Sequence, residues 1–264
     1  MTITEPTSIW AATAALQLIS VKDEPLQSYQ HGQLTFELRT LDDSLWVIAL
    51  LNKDARVAFR TAYSPNGFIG INVDKANERS ITVKLRSAAG EYTVTVDMPD
   101  TEQPTLHYTA SLITSNDLLM PFWPRDVIFY SANGLDTSGE LFIKQVGTRS
   151  GLLYGAYKKP EAGSFLYLQN LTALGPYNED TQTSAAEVVG GEWPELGLQL
   201  PAAASKPLKA GQEYVLSDAF ITFSPEVPAD QFAIAKGFLN ALSSFICAVA
   251  RTGDQVSGLF RDPT

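Results

Sequence analysis

The strongest constraint on this chain is a period of two. Apolar residues alternate with polar ones at Leu34, Phe36 and Leu38, at Ile69, Ile71 and Val73, at Ile81, Val83 and Leu85, and at Tyr92, Val94 and Val96. The alternation returns in 106–113, 141–146, 152–157 and 214–223. Successive side chains of a strand point to opposite faces, so this pattern predicts strands with one face on a core and the other in water. Between the runs, Pro65-Asn66-Gly67, Ala89-Gly90, Asn133-Gly134 and Ser138-Gly139 supply residues that tolerate the positive φ of tight hairpins. No run of helix length separates the strands, which excludes a doubly wound α/β sheet. The expectation is an all-β fold, a large sandwich of two antiparallel sheets with strands from about residue 30 to 225.

Past Pro225 and Pro228 the period changes. Phe232, Ala235, Phe238, Leu239, Leu242, Phe245, Ile246 and Val249 recur at three- and four-residue steps, which predicts one C-terminal amphipathic helix. Asp230 opposes the positive end of its dipole and Gly253 is a natural stop. The chain therefore divides into an N-terminal segment (1–29), the sandwich (30–225) and a helix with a loose tail (226–264). Burying each large side chain of the stripe is worth about 1.5–3 kcal/mol, so the helix should dock on the sandwich. What remains of the stripe is expected to favour self-association.

With 264 residues and 45% hydrophobic content the chain can bury a sizeable core in one domain. Its 29 acidic residues exceed the 19 basic ones and are scattered, which argues against a nucleic-acid partner. The N-terminus lacks the basic region of a secretory signal, and no stretch reaches about 18 uninterrupted apolar residues, so no membrane partner and a cytoplasmic location are expected. A lone cysteine, Cys247, cannot form an internal disulfide and is expected as a small buried or half-buried thiol.

Only two histidines, His31 and His107, are present, too few with one cysteine for a zinc site. Neither a phosphate-binding glycine loop nor Gly-x-Ser-x-Gly occurs, so no metal and no cofactor are expected. Two clusters of aromatic and acidic residues remain. One is the irregular segment 119–126 with Trp123, Arg125 and Asp126; the other is a loop carrying Tyr177, Glu179 and Asp180, then Glu187, Glu192, Trp193 and Glu195. Indole faces stack on ring-shaped ligands and carboxylates accept bonds from hydroxyls, a combination that suits sugars. Both tryptophans are also explicable as core anchors beneath long loops, Trp123 more readily than Trp193. The sequence names no catalytic pair, because glycosidic cleavage depends on a carboxylate separation that only the fold can set.

Phe122-Trp-Pro-Arg-Asp126, Gly147-Thr-Arg-Ser-Gly-Leu-Leu-Tyr154, Tyr167-Leu-Gln-Asn-Leu-Thr-Ala-Leu174 and Val189-Gly-Gly-Glu-Trp-Pro-Glu-Leu-Gly197 carry a resemblance. Over roughly residues 30 to 225 the chain resembles the N-terminal, galactose-mutarotase-like β-supersandwich of glycoside-hydrolase-like proteins built on a six-hairpin (α/α)6 toroid. The resemblance implies a linker helix, here 230–250, and a helical catalytic domain as partner that supplies the general acid and base. It implies a non-catalytic, carbohydrate-associated role, for which the two clusters offer Trp123, Arg125, Asp126, Tyr177, Glu179, Asp180, Glu192, Trp193 and Glu195 as candidate rim residues. The alternatives are a free-standing sugar enzyme of mutarotase type, with Glu192 as base and His107 as acid, and an interaction module using the terminal helix.

Overall fold

The computed structural model describes residues 8–32 and 34–252. The expected tail, with Gly253 as helix stop, lies outside the described residues. A first helix, α1 (Ile9–Ser20), precedes β1 (Gln27–His31), β2 (Leu34–Leu41), β3 (Ser44–Leu50), β4 (Ala55–Tyr63) and β5 (Gly70–Ala76). Next come β6 (Ser80–Arg86), β7 (Gly90–Asp97), β8 (Thr105–Thr114), β9 (Leu118–Met120), β10 (Val127–Ser131), β11 (Ser138–Val146), β12 (Ser150–Lys159) and β13 (Gly163–Asn170). A 3₁₀ turn and α2 (Gly175–Thr181) lead to β14 (Val189–Glu192), β15 (Glu195–Leu198), β16 (Ala203–Leu208), β17 (Glu213–Ser224) and α3 (Gln231–Thr252).

Two antiparallel sheets face each other, as the alternation predicts. The seven-stranded sheet runs β1-β2-β3-β4-β10-β15-β14, and the eight-stranded sheet runs β11-β12-β13-β17-β8-β7-β6-β5. Between them lies the main core, with Phe36, Phe59, Tyr92, Tyr108, Phe129 and Tyr214 among its largest members. Each outer face carries a helix. Ala14, Ala15 and Leu18 of α1 cover Trp46, Ile48, Ala58, Ile128 and Tyr130 of the seven-stranded sheet. On the other side Ala241, Phe245 and Ala248 of α3 cover Leu152, Tyr154, Leu166, Leu168 and Phe220.

This double cover has a consequence for the strands. Those buried on both faces, such as β3 (Ser-Leu-Trp-Val-Ile-Ala-Leu) and β10 (Val-Ile-Phe-Tyr-Ser), are apolar without alternation. Phe245 is 1% exposed and meets Phe220 edge-on at 5.0 Å, so Phe245→Ala should destabilise the fold by about 3–5 kcal/mol in urea unfolding. A smaller loss would mean that α3 is only loosely held.

Several local expectations differ from the structure. Helix α1 was not expected; Ser8 caps it by accepting from the Ala11 amide at 3.1 Å. The segment read as a loop at 175–181 is α2, with Pro176 in its first turn, where a missing N–H costs nothing. Ser138-Gly139 opens β11 rather than forming a turn. Residues 231–250 are long and apolar enough to cross a membrane, a property the count of uninterrupted apolar residues missed because Lys236 and Asn240 break the run. Cys247 is exposed, not half-buried. On the edge strand β5, Ile71 and Val73 are about 40% exposed although their β6 partners Leu85 and Val83 are fully buried. The core therefore stops at β6 and β5 projects past it.

Candidate functional site

The chain leaves β9, runs extended through Pro121 and Pro124, and enters β10. This alternates the side chains. Phe122 faces solvent, Trp123 turns inward to meet Tyr63 edge-on at 5.5 Å, and Asp126 is 2% exposed. Because β10 pairs with β15 through Val127 and Leu196, the ends of the β14–β15 hairpin come alongside the same segment. The result is an open groove of about 250 Å³ lined by Phe122, Trp123, Arg125, Glu187, Gln199 and Pro201, with neighbouring backbone.

Arg125 ties the two walls together. Its Nη1 donates to the carbonyls of Gly197 at 2.8 Å and Val188 at 3.4 Å, and its Nη2 donates to Gln199 Oε1 at 3.1 Å. The stem passes so close to Gly191 that a Cβ there would lie 3.0 Å from Arg125 Cδ. On the opposite wall Glu187 adopts φ 63°, a left-handed conformation uncommon for a non-glycine residue, and is exposed. At the mouth Phe122 stacks on Trp10 of α1, with ring centroids 4.7 Å apart, forming a broad aromatic shelf.

Behind the groove, between the sheets, lies a closed polar network. Asp126 Oδ2 accepts from the hydroxyls of Tyr108 at 2.6 Å and Tyr167 at 2.7 Å, and Oδ1 accepts from the Leu198 amide at 2.7 Å. Gly197, at φ 92°, leaves the room that Oδ1 occupies. The Tyr167 hydroxyl also lies 3.0 Å from Gln169 Oε1, which accepts from Ser217 at 3.2 Å. Burial pushes the Asp126 carboxyl up to about 6, against the downward pull of its hydrogen bonds. Burial likewise holds both tyrosines well above their ordinary value.

Of the expected rim, Trp123 and Arg125 line the groove, joined by Phe122 and Glu187 from the two sequence clusters. Asp126 and Tyr177 are buried; the Tyr177 hydroxyl donates to the Pro201 carbonyl under the groove wall. Glu179 is exposed on α2. Asp180 pairs with Lys209 and accepts from Tyr214 at 2.7 Å, bonds that hold its carboxyl below the usual range. At the far end of the hairpin Glu192 faces Glu195, which accepts from Ser8. Trp193 lies under β11, its ring 4.2 Å from Phe129 and 5.1 Å from Tyr157, its N–H donating to Thr137 at 3.0 Å. Glu179, Asp180, Glu192, Trp193 and Glu195 therefore do not line the groove.

His107 sits on the eight-stranded sheet, stacked on Phe220 at 3.9 Å with Nε2 2.8 Å from Asp218 Oδ1. Glu192 belongs to the other sheet, whereas His107 shares with Phe220 the outer face that α3 covers, so the supposed base and acid lie on opposite sides of the eight-stranded sheet. Among the described residues no group of three or more His, Cys, Asp or Glu could hold a metal ion. Gln199 and Pro201 are not among the expected rim residues, because nothing local announces that β15 returns to β10. No known family, curated protein or solved structure matches this chain.

Proposed function

We propose that the chain is a non-catalytic, carbohydrate-binding β-sandwich whose groove between Phe122 and Glu187 receives a sugar ring. The observation that carries this reading is the convergence, in one open groove, of an aromatic shelf with a guanidinium, a carboxylate and an amide drawn from segments 63 to 74 residues apart. The Phe122 face suits the apolar face of a pyranose, while Glu187 and Gln199 suit its hydroxyls. Among the described residues Glu187 is the one carboxylate lining the groove, whereas most glycosidic hydrolysis draws on a pair, which favours binding over cleavage. In the wider reading the chain is the β-supersandwich of a glycoside-hydrolase-like protein, and a helical (α/α)6 domain is its catalytic partner.

Titration calorimetry against a panel of neutral mono- and oligosaccharides tests this. Phe122 is 37% exposed and stacks on Trp10, so Phe122→Ala should weaken binding about three- to tenfold while lowering the melting temperature by only a few degrees. Absence of binding to every member of the panel would sink the reading. Unaltered affinity in both Phe122→Ala and Glu187→Gln would remove the sugar from this groove.

A further inference from the structure

Helix α3 is apolar on the side away from the protein as well as on the side that docks. At about 100° per residue, Phe232, Ala235, Leu239, Ser243, Ile246 and Ala250 fall within roughly 40° of the outward direction. None is charged, and Phe232, Leu239 and Ile246 are 79%, 61% and 49% exposed. A helix apolar on two opposite sides is ordinarily covered on both.

The order of residues on this ridge is symmetric. Large, small, large, small, large follow at steps of three, four, four and three, centred on Leu239. A two-fold axis passing beside Leu239 would set Phe232 of one copy against Ile246 of the other and Ala235 against Ser243. Self-complementarity of this kind is what an isologous interface requires. The small residues beside Leu239 allow the two helices to approach closely.

We propose that the outward ridge of α3 is an interface with a second copy of this chain, the two helices antiparallel and crossing at Leu239. The inference is independent of the groove. Specific association needs about 1,000 Å² of buried surface or more, so contact through one helix pair places this dimer at the weak end of the range. The ridge is also where two copies of a chain carrying a net charge of −10 can meet without opposing carboxylates. A lipid surface fits less well. An interfacial helix carries Lys and Arg on a solvated polar face, whereas α3 has Lys236 alone in 231–250, and its inward face is taken by the sheet.

Cysteine cross-linking of the full chain in a Cys247→Ser background tests both the partner and its direction. Under mild oxidation Leu239→Cys should link to itself across the axis. Phe232→Cys and Ile246→Cys should link when mixed and neither should link alone. Self-linking of each of the latter two would mean parallel helices and overturn the arrangement. In sedimentation, Leu239→Glu should weaken dimerisation about 100-fold with an unchanged circular dichroism spectrum. A wild-type chain that stays monomeric at its highest soluble concentration overturns the proposal, and pelleting of that monomer with phosphatidylcholine vesicles would hand the ridge to a lipid surface.

Discussion

Asp126→Ala should lower the unfolding free energy by about 3–5 kcal/mol at pH 5, because it strands two tyrosine hydroxyls and the Leu198 amide in the middle of the sandwich. Asp126→Asn keeps the shape and the bond to Leu198, and the tyrosine hydroxyls can turn to accept from its amide. Its effect should therefore depend on pH. With the folded carboxyl near 6 and the unfolded one at its ordinary value near 4, the folded chain holds a proton between these values that the unfolded chain has released. The stabilisation is fully present below about pH 4 and is lost as pH rises through 6, roughly 3 kcal/mol in all. Asn has no such slope, so the variant should gain on the wild type by about that amount between pH 4 and 7. Denaturant unfolding at several pH values reads this directly, and parallel stability curves for the two proteins would rule it out.

Trp193→Ala should cost about 2–4 kcal/mol, since the indole is sandwiched beneath β11 against Phe129 and Tyr157. The floor above it is Gly139, where a Cβ would overlap the six-membered ring. Gly139→Ala in the wild type should then cost about 1–3 kcal/mol by overpacking. The two losses share one volume and should not add: the double variant should be close to Trp193→Ala alone. A double-mutant cycle that gave simple additivity would place the indole elsewhere and reopen its use as a sugar platform.

How far the sequence could be read follows from how many faces each element buries. Strands such as β6, whose Ile81, Val83 and Leu85 are buried between more exposed neighbours, announce themselves by alternation. Strands β3 and β10 do not, because helices cover their second face and erase the polar positions. Helix α1 was hidden by the reverse effect: its buried Ala11, Ala14, Ala15 and Leu18 stand among residues almost as apolar. Helix α2 was hidden by a composition of Gly, Pro, Asn and Asp, although Leu171, Leu174, Tyr177 and Thr181 already recur at three- and four-residue steps and are buried. The site was half legible. Phe122, Trp123 and Arg125 stand together in sequence, but their partners Glu187 and Gln199 arrive through strand pairing, which no local pattern encodes. Asp126 was misplaced because a carboxylate is ordinarily a surface residue, and only the fold reveals the tyrosines that make its burial tolerable.

The projecting strand β5 gives the molecule a seam. Among the described residues no strand pairs with its outer edge, which leaves backbone groups beside Ile71 and Val73 of the kind through which a fibril adds one chain to the next. Two features blunt it: the register shift between Val73 and Lys75, which kinks the edge, and the charges of Asp74 and Lys84, paired at 3.2 Å. At high concentration, or in salt that screens the Asp74–Lys84 pair, this border rather than the centre of either sheet is where an ordered polymer of the folded chain would begin to grow.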